Sequence, residues 1–159
     1  VARLASAFEM NVLAHDAATV PAETFARLVS LDTLCAQADY ITLHLPVTPA
    51  TRHLFDRARL ACCMRGVRLV NTARGELIDD AALLAALDDG QVAGAALDVF
   101  AIEPPLDTRL IVHPAVVATP HLAASTAEAQ ERVGIEAASA VRDFLQTGLA
   151  RNVVATPVG

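Results

Sequence analysis

Three times in this chain a short apolar run stops abruptly and hands an ionisable residue to the segment behind it, and this repeated layout limits the folds open to it. Val67, Leu69 and Val70 run into Asn71-Thr72-Ala73-Arg74-Gly75. Val92 to Leu97 runs into Asp98-Val99-Phe100, with Glu103-Pro104-Pro105 behind, and Val116 to Ala118 runs into Thr119-Pro120-His121. Between the first two lies the helical pattern Leu83, Leu84, Leu87, opened by Asp79 and closed by Gly90. Buried strands alternating with helices make an α/β parallel sheet. In such a sheet ligands bind in the crevice beyond the carboxyl ends of the strands. Arg74, Glu103 and His121 then share one edge if their strands are neighbours, as successive βαβ units usually are. A cation, a carboxylate and an imidazole form a working acid–base set. Taken singly, each also has an ordinary reading: a surface salt bridge for Arg74, a helix-start carboxylate before prolines for Glu103, a satisfied loop histidine for His121.

At 159 residues and 54% hydrophobic content there is material for one α/β domain with a substantial core. A net charge of −6 without a basic cluster argues against nucleic acid or an anionic membrane as partner. The longest apolar runs are far short of a membrane span. Cys35, Cys62 and Cys63 lack metal-ligand spacing, so no metal is expected, and all three read as buried, inert, reduced thiols.

In chain order, Val1, Leu4, Ala5 and Phe8 share one helical face, and Met10 to Ala14 reads as a strand with Asp16 just past its end, where a turn or cap residue is the alternative. Pro21 to Val29 is a helix or loop leading to a short edge segment. Ser30 caps a short helix with Leu31 and Leu34, and Tyr40 to His44 is a strand ended by Leu45-Pro46. Phe55 to Met64 reads as helical, with Leu60 and Met64 facing the core. Ser125 and Glu128 have capping-box spacing ahead of a helix that sets Val133, Ala137, Val141, Phe144 and Leu145 on one face and stops at Gly148. Its N-terminus follows His121 closely and offers free N–H groups.

The ordered runs Asn71-Thr-Ala-Arg-Gly, Ala96-Leu-Asp-Val-Phe, Glu103-Pro-Pro and Thr119-Pro-His resemble the signature of the D-isomer-specific 2-hydroxyacid dehydrogenases, over nearly the whole chain. The resemblance implies a Rossmann-type doubly wound parallel sheet lacking its first strand and glycine-rich loop. Residues 1–152 are then a partial NAD-binding domain, and 153–159 the start of a return segment toward a substrate domain. It implies NAD as cofactor and hydride exchange with a D-2-hydroxy acid or 2-oxo acid. Arg74 would grip the substrate, His121 would be the acid–base, and Glu103 would orient His121. Along the cofactor it places Asp16 at the adenosine ribose, Leu45, Pro46 and Thr51 on the nicotinamide side, and the Thr72 and Ala73 backbone beside them. Asp98 would meet the carboxamide. Arg74, His121, Ala123 and Ala124 complete that set, Ala123 standing where the family usually has glycine.

The run from Pro120 to Thr126 with Glu128-Ala-Gln resembles the 3-phosphoglycerate dehydrogenase branch, which feeds serine biosynthesis. Glyoxylate/hydroxypyruvate reductase remains an alternative, as does an NAD-sensing corepressor-like binding protein on the same fold. The family implies a cytoplasmic homodimer joined through this domain. The missing strand would lie between Met10–Ala14 and Tyr40–His44, so those two segments are expected not to pair, and residues 1 to 159 alone are expected to lack dehydrogenase activity and to bind NAD weakly.

Overall fold

The computed structural model describes residues 1–17 and 25–150; the first residues of the Pro21–Val29 segment and the expected return segment at 153–159 lie outside them. The chain runs through α1 (Ala2–Ala7), β1 (Leu13–Ala14), β2 (Arg27–Leu28), α2 (Leu31–Gln37), β3 (Tyr40–Leu43), α3 (Arg57–Cys62), β4 (Val67–Asn71), α4 (Asp80–Asp88), β5 (Val92–Leu97), β6 (Val116–Ala118) and α5 (Ala127–Thr147). A 3₁₀ turn, Gly75–Leu77, follows β4. It falls into two compact units, residues 1–120 and 121–159.

In the first unit β3, β4, β5 and β6 pair in that order, every ladder parallel. Leu43 pairs with Asn71, Asn71 with Leu97, and Leu97 with Ala118, so the four strands finish on one row and release their chains at one edge. β1 and β2 form a separate parallel pair, and β1 has no ladder to β3 among the described residues, as expected. The arrangement is the Rossmann-type parallel sheet. The first strand is shorter than the sequence suggests: only Leu13 and Ala14 of the Met10–Ala14 run enter a ladder.

Alternation sets the core. Ile41 and Leu43 of β3, Val67 and Leu69 of β4, and Val92, Ala95 and Leu97 of β5 are buried in one cluster with Cys35 of α2, Leu60 of α3 and Leu83 and Leu87 of α4. On the opposite face of the sheet the exposed pair Tyr40 and Arg68 face each other across the β3–β4 ladder, with the guanidinium 5.4 Å from the ring centre. The helices start on side-chain oxygens. Ser30 accepts from the Thr33 N–H, Asp56 from Arg59, and Asp79 from Ala81 and Ala82. Gly90 closes α4 in the left-handed conformation at φ 73°.

Several expectations are corrected. Phe55 is not helical. It forms an isolated parallel bridge with Ile78, and the helix begins only at Arg57. In α3 the inward position is Leu60, and Cys63 just past its end is buried too, whereas Met64 is half-buried. Cys62, one position out of phase with them, is exposed rather than buried. In the second unit α5 starts on Thr126, whose hydroxyl accepts from the Ala129 N–H, not on Ser125. The helix buries none of its residues, so Val133, Val141, Phe144 and Leu145 form an apolar stripe at the surface.

Phe55 is 1% exposed and sits where the β3–α3 connection meets the segment after β4. Truncating a buried aromatic ring costs about 3–5 kcal/mol through lost transfer energy and the cavity left behind. Phe55→Ala is expected to lower the stability of the first unit by about that much, read as a reduced urea midpoint with an unchanged slope.

Candidate active site

β3 and β4 are neighbours that end in register, so His44-Leu45-Pro46 and Thr72-Ala73-Arg74 leave the sheet side by side. Between the two exits lies a cleft of about 500 Å³ lined by His44, Leu45, Pro46, Val47, Ala73, Arg74 and Glu76. The β3 side is fixed by Thr51. Its hydroxyl donates to the Pro46 carbonyl at 2.7 Å and accepts the Thr48 N–H at 2.7 Å. Further along, the two walls are joined backbone to backbone: the His53 N–H donates to the Glu76 carbonyl at 2.8 Å and the Phe55 N–H to the Leu77 carbonyl at 3.0 Å.

The β4 side is fixed by Asn71, which is 1% exposed. Its Nδ2 donates to the Arg74 carbonyl at 2.9 Å, and its Oδ1 accepts the Ala73 N–H at 3.1 Å. The Arg74 Nη1 in turn donates to the Ala73 carbonyl at 2.6 Å. Just behind, Gly75 lies directly under the next loop, where an added Cβ would stand 1.9 Å from the Phe100 carbonyl carbon. This close approach, backbone on backbone, requires glycine.

The exit of β5 carries two more of the expected residues. Asp98 is 5% exposed and accepts the Thr119 hydroxyl, while its own N–H donates to the Asn71 carbonyl at 3.0 Å. Glu103 is exposed, and its Oε1 accepts the Phe100 N–H at 3.1 Å. Gly75 thus touches the same residue whose N–H anchors Glu103.

Of the residues singled out in the sequence, Leu45, Pro46, Ala73 and Arg74 line one cleft, with Thr51 bracing it and Thr72 exposed beside it. Asp98 and Glu103 stand on the adjoining strand exit, joined to Arg74 through Asn71 and through Gly75. Asp16 stands two residues past β1, in the other sheet. His121 opens the second unit at φ 55°, with Ala123 and Ala124 in the turn after it. His44, Val47 and Glu76 also line the cleft and carried no site role in the sequence reading. Their signal was position alone, since they sit next to the strand exits. Asn71 was legible only as part of a motif.

The arrangement offers an apolar wall from Leu45 to Val47 facing a guanidinium whose peptide is held rigidly. That combination suits a flat ring set beside a small carboxylate.

A family model described as D-isomer specific 2-hydroxyacid dehydrogenase, NAD binding domain, matches residues 1–123. D-3-phosphoglycerate dehydrogenase 3, chloroplastic, from Arabidopsis thaliana is 48% identical over 163 residues, covering 99% of this chain and 28% of that protein. The hydroxypyruvate reductase of Thermotoga maritima is 48% identical over 139 residues, 86% of this chain and 45% of its own. Among solved structures, the NAD complexed form of a D-isomer specific 2-hydroxyacid dehydrogenase from Lactobacillus delbrueckii ssp. bulgaricus matches with a TM-score of 0.90 at 32% identity, covering 97% of this chain and 52% of that one. The chain therefore spans 28% to 52% of the length of these proteins.

Gly75→Ala is expected to destabilise the first unit by about 3 kcal/mol, because overpacking against backbone leaves no side chain free to move aside. Adding Phe100→Ala should recover none of the loss, since the clash is with the main chain of Phe100. Thermal unfolding of the single and double variants checks both statements.

Proposed function

Since the chain belongs to the D-isomer-specific 2-hydroxyacid dehydrogenases through their NAD-binding domain, we propose that it serves hydride transfer between NAD and a D-2-hydroxy acid or its 2-oxo acid. The observation that carries this reading is the cleft at the β3 and β4 exits, with Arg74 on one wall and Leu45-Pro46-Val47 on the other. The relatives are longer than this chain, so the activity belongs to the chain together with a substrate domain.

The residues present fit the cofactor. Leu45, Pro46 and Val47 give an apolar surface for the nicotinamide, the Thr72 and Ala73 backbone and Asp98 stand beside it, and Asp16 offers a carboxylate to the adenosine ribose. When bound, NAD supplies or accepts the hydride at the substrate C2. Arg74 holds the substrate carboxylate and carbonyl oxygen with its two-pronged fork and draws electron density away from C2. His121 gives a proton to the developing alkoxide oxygen in reduction and removes it in oxidation. To Glu103 we assign the orientation of the His121 ring. To Ala123 and Ala124, in the turn after His121, we assign a place in the cofactor-binding set.

Within the family we assign the chain to the 3-phosphoglycerate dehydrogenase branch, as a cytoplasmic homodimer whose product enters serine biosynthesis. The similarity to the Arabidopsis enzyme supports this branch, and the similarity to the Thermotoga enzyme supports hydroxypyruvate as the second substrate candidate. No helix among the described residues is long and apolar enough to cross a membrane.

A panel of 2-hydroxy acids assayed with NAD on the protein with its substrate domain tests the reading, with D-3-phosphoglycerate expected to turn over fastest; no turnover of any member overturns it. His121→Ala should lower kcat by about two to four orders of magnitude with NAD affinity nearly intact. Arg74→Lys should raise KM for the acid, because an ammonium cannot reproduce a bidentate grip. Asp16→Ala should relax the preference for NAD over NADP, measured by titration calorimetry with each cofactor.

A further inference from the structure

Arg74 is exposed, and a surface arginine ordinarily samples many rotamers. Here three hydrogen bonds close a ring around it. The Asn71 Nδ2 donates to the Arg74 carbonyl, the Arg74 Nη1 donates to the Ala73 carbonyl, and the Ala73 N–H donates back to the Asn71 Oδ1. Only a side chain with one donor and one acceptor in a planar fork can close such a ring, and the carboxamide of asparagine supplies both at the needed length. The ring has two fixed supports. Asn71 is the last residue of β4 and is paired on both sides, with Leu43 and with Leu97, and Gly75 is trapped under Phe100. The three residues between, Thr72 to Arg74, depend on the Asn71 carboxamide for their shape.

We propose that Asn71 is a positioning residue for the substrate grip of Arg74: its buried carboxamide holds the Ala73 and Arg74 peptides in the arrangement that keeps the guanidinium on the cleft wall. The inference rests on the reading of Arg74 as the substrate-carboxylate ligand. It assigns to Asn71 no contact with substrate or cofactor.

Asn71→Asp tests it, because the introduced carboxyl has the same shape and keeps the acceptor for the Ala73 N–H. When ionised it faces the Arg74 carbonyl with a second acceptor, and the ring opens. When protonated its O–H can donate to that carbonyl, and the ring closes again. Burial raises the pKa of a carboxyl, bringing the change into an accessible pH range. Two readouts are taken on the protein with its substrate domain, at pH 6 and pH 8.5: KM and kcat for the 2-oxo acid, and the dissociation constant of the unreactive analogue oxamate from the NADH complex, by calorimetry. Arg74, His44 and Glu76 line the cleft, with Asp98 at the adjoining strand exit, in wild type and variant alike, so each ratio is taken at a single pH.

At pH 8.5 the variant should bind oxamate, and show a KM, roughly tenfold or more weaker than wild type, the size of one lost buried hydrogen bond. At pH 6 the ratio should return to within about twofold, with NADH affinity unchanged at both pH values. Asn71→Ser, which is too short to close the ring and carries no charge, should weaken oxamate at both pH values alike and serves if the first variant does not fold. A variant-to-wild-type ratio near one at pH 8.5 overturns the proposal. So does a parallel fall in oxamate affinity, NADH affinity and thermal midpoint, which marks a merely structural residue. A wild type that neither turns over a 2-oxo acid nor binds oxamate instead removes the dehydrogenase reading, and this inference with it.

Discussion

Parallel pairing is the constraint from which the rest of this structure follows. Parallel strands cannot be joined by a tight turn, so each connection must cross back over the sheet, and every strand then ends at the same edge. In this chain the row Leu43, Asn71, Leu97 and Ala118 runs through all three ladders of the main sheet. Whatever residue comes next in each strand is delivered to the same place. A binding edge arises from register before any side chain is chosen, and the chemistry is then written into the four exits.

What turns an edge into a site is the treatment of the exits, and most of that treatment is main chain. Segment 53–55 is hydrogen-bonded to segment 76–79, Gly75 sits against Phe100, and the Phe100 N–H holds Glu103. Backbone-to-backbone contacts add no side-chain rotamer entropy to the cost of ordering these loops. Buried polar groups complete the construction. Asn71 and Asp98 are the buried polar or charged side chains among the described residues, and both lie at strand exits. Each is hydrogen-bonded, as burial demands.

The sequence made the strands and their exits legible because alternation, capping residues and glycines are local signals. Val92 to Leu97 and Val116 to Ala118 fall where the apolar runs predict, and Ser30 and Asp79 cap as expected. The Phe55–Ile78 bridge was not legible, because a single paired residue has no period. Thr126 replaced Ser125 because two adjacent hydroxyls offer equivalent caps, and only the backbone geometry decides which meets a helical N–H. Cys62 looked buried by type and proved exposed by helical phase. The stripe on α5 was correctly read as amphipathic, yet amphipathicity says that a face seeks cover and nothing about which element provides it. The part played by the Asn71 carboxamide was hidden for another reason: its partners are peptide groups, which every sequence contains.

The position of β4 within the sheet has a consequence in time as well as in space. Its backbone is bonded on both flanks, to β3 and to β5. Opening β4 means breaking two ladders at once, so its amides belong with those of β5 in the slowest-exchanging class. The guanidinium wall of the cleft is thus anchored to a strand that opens only when both its neighbours let go.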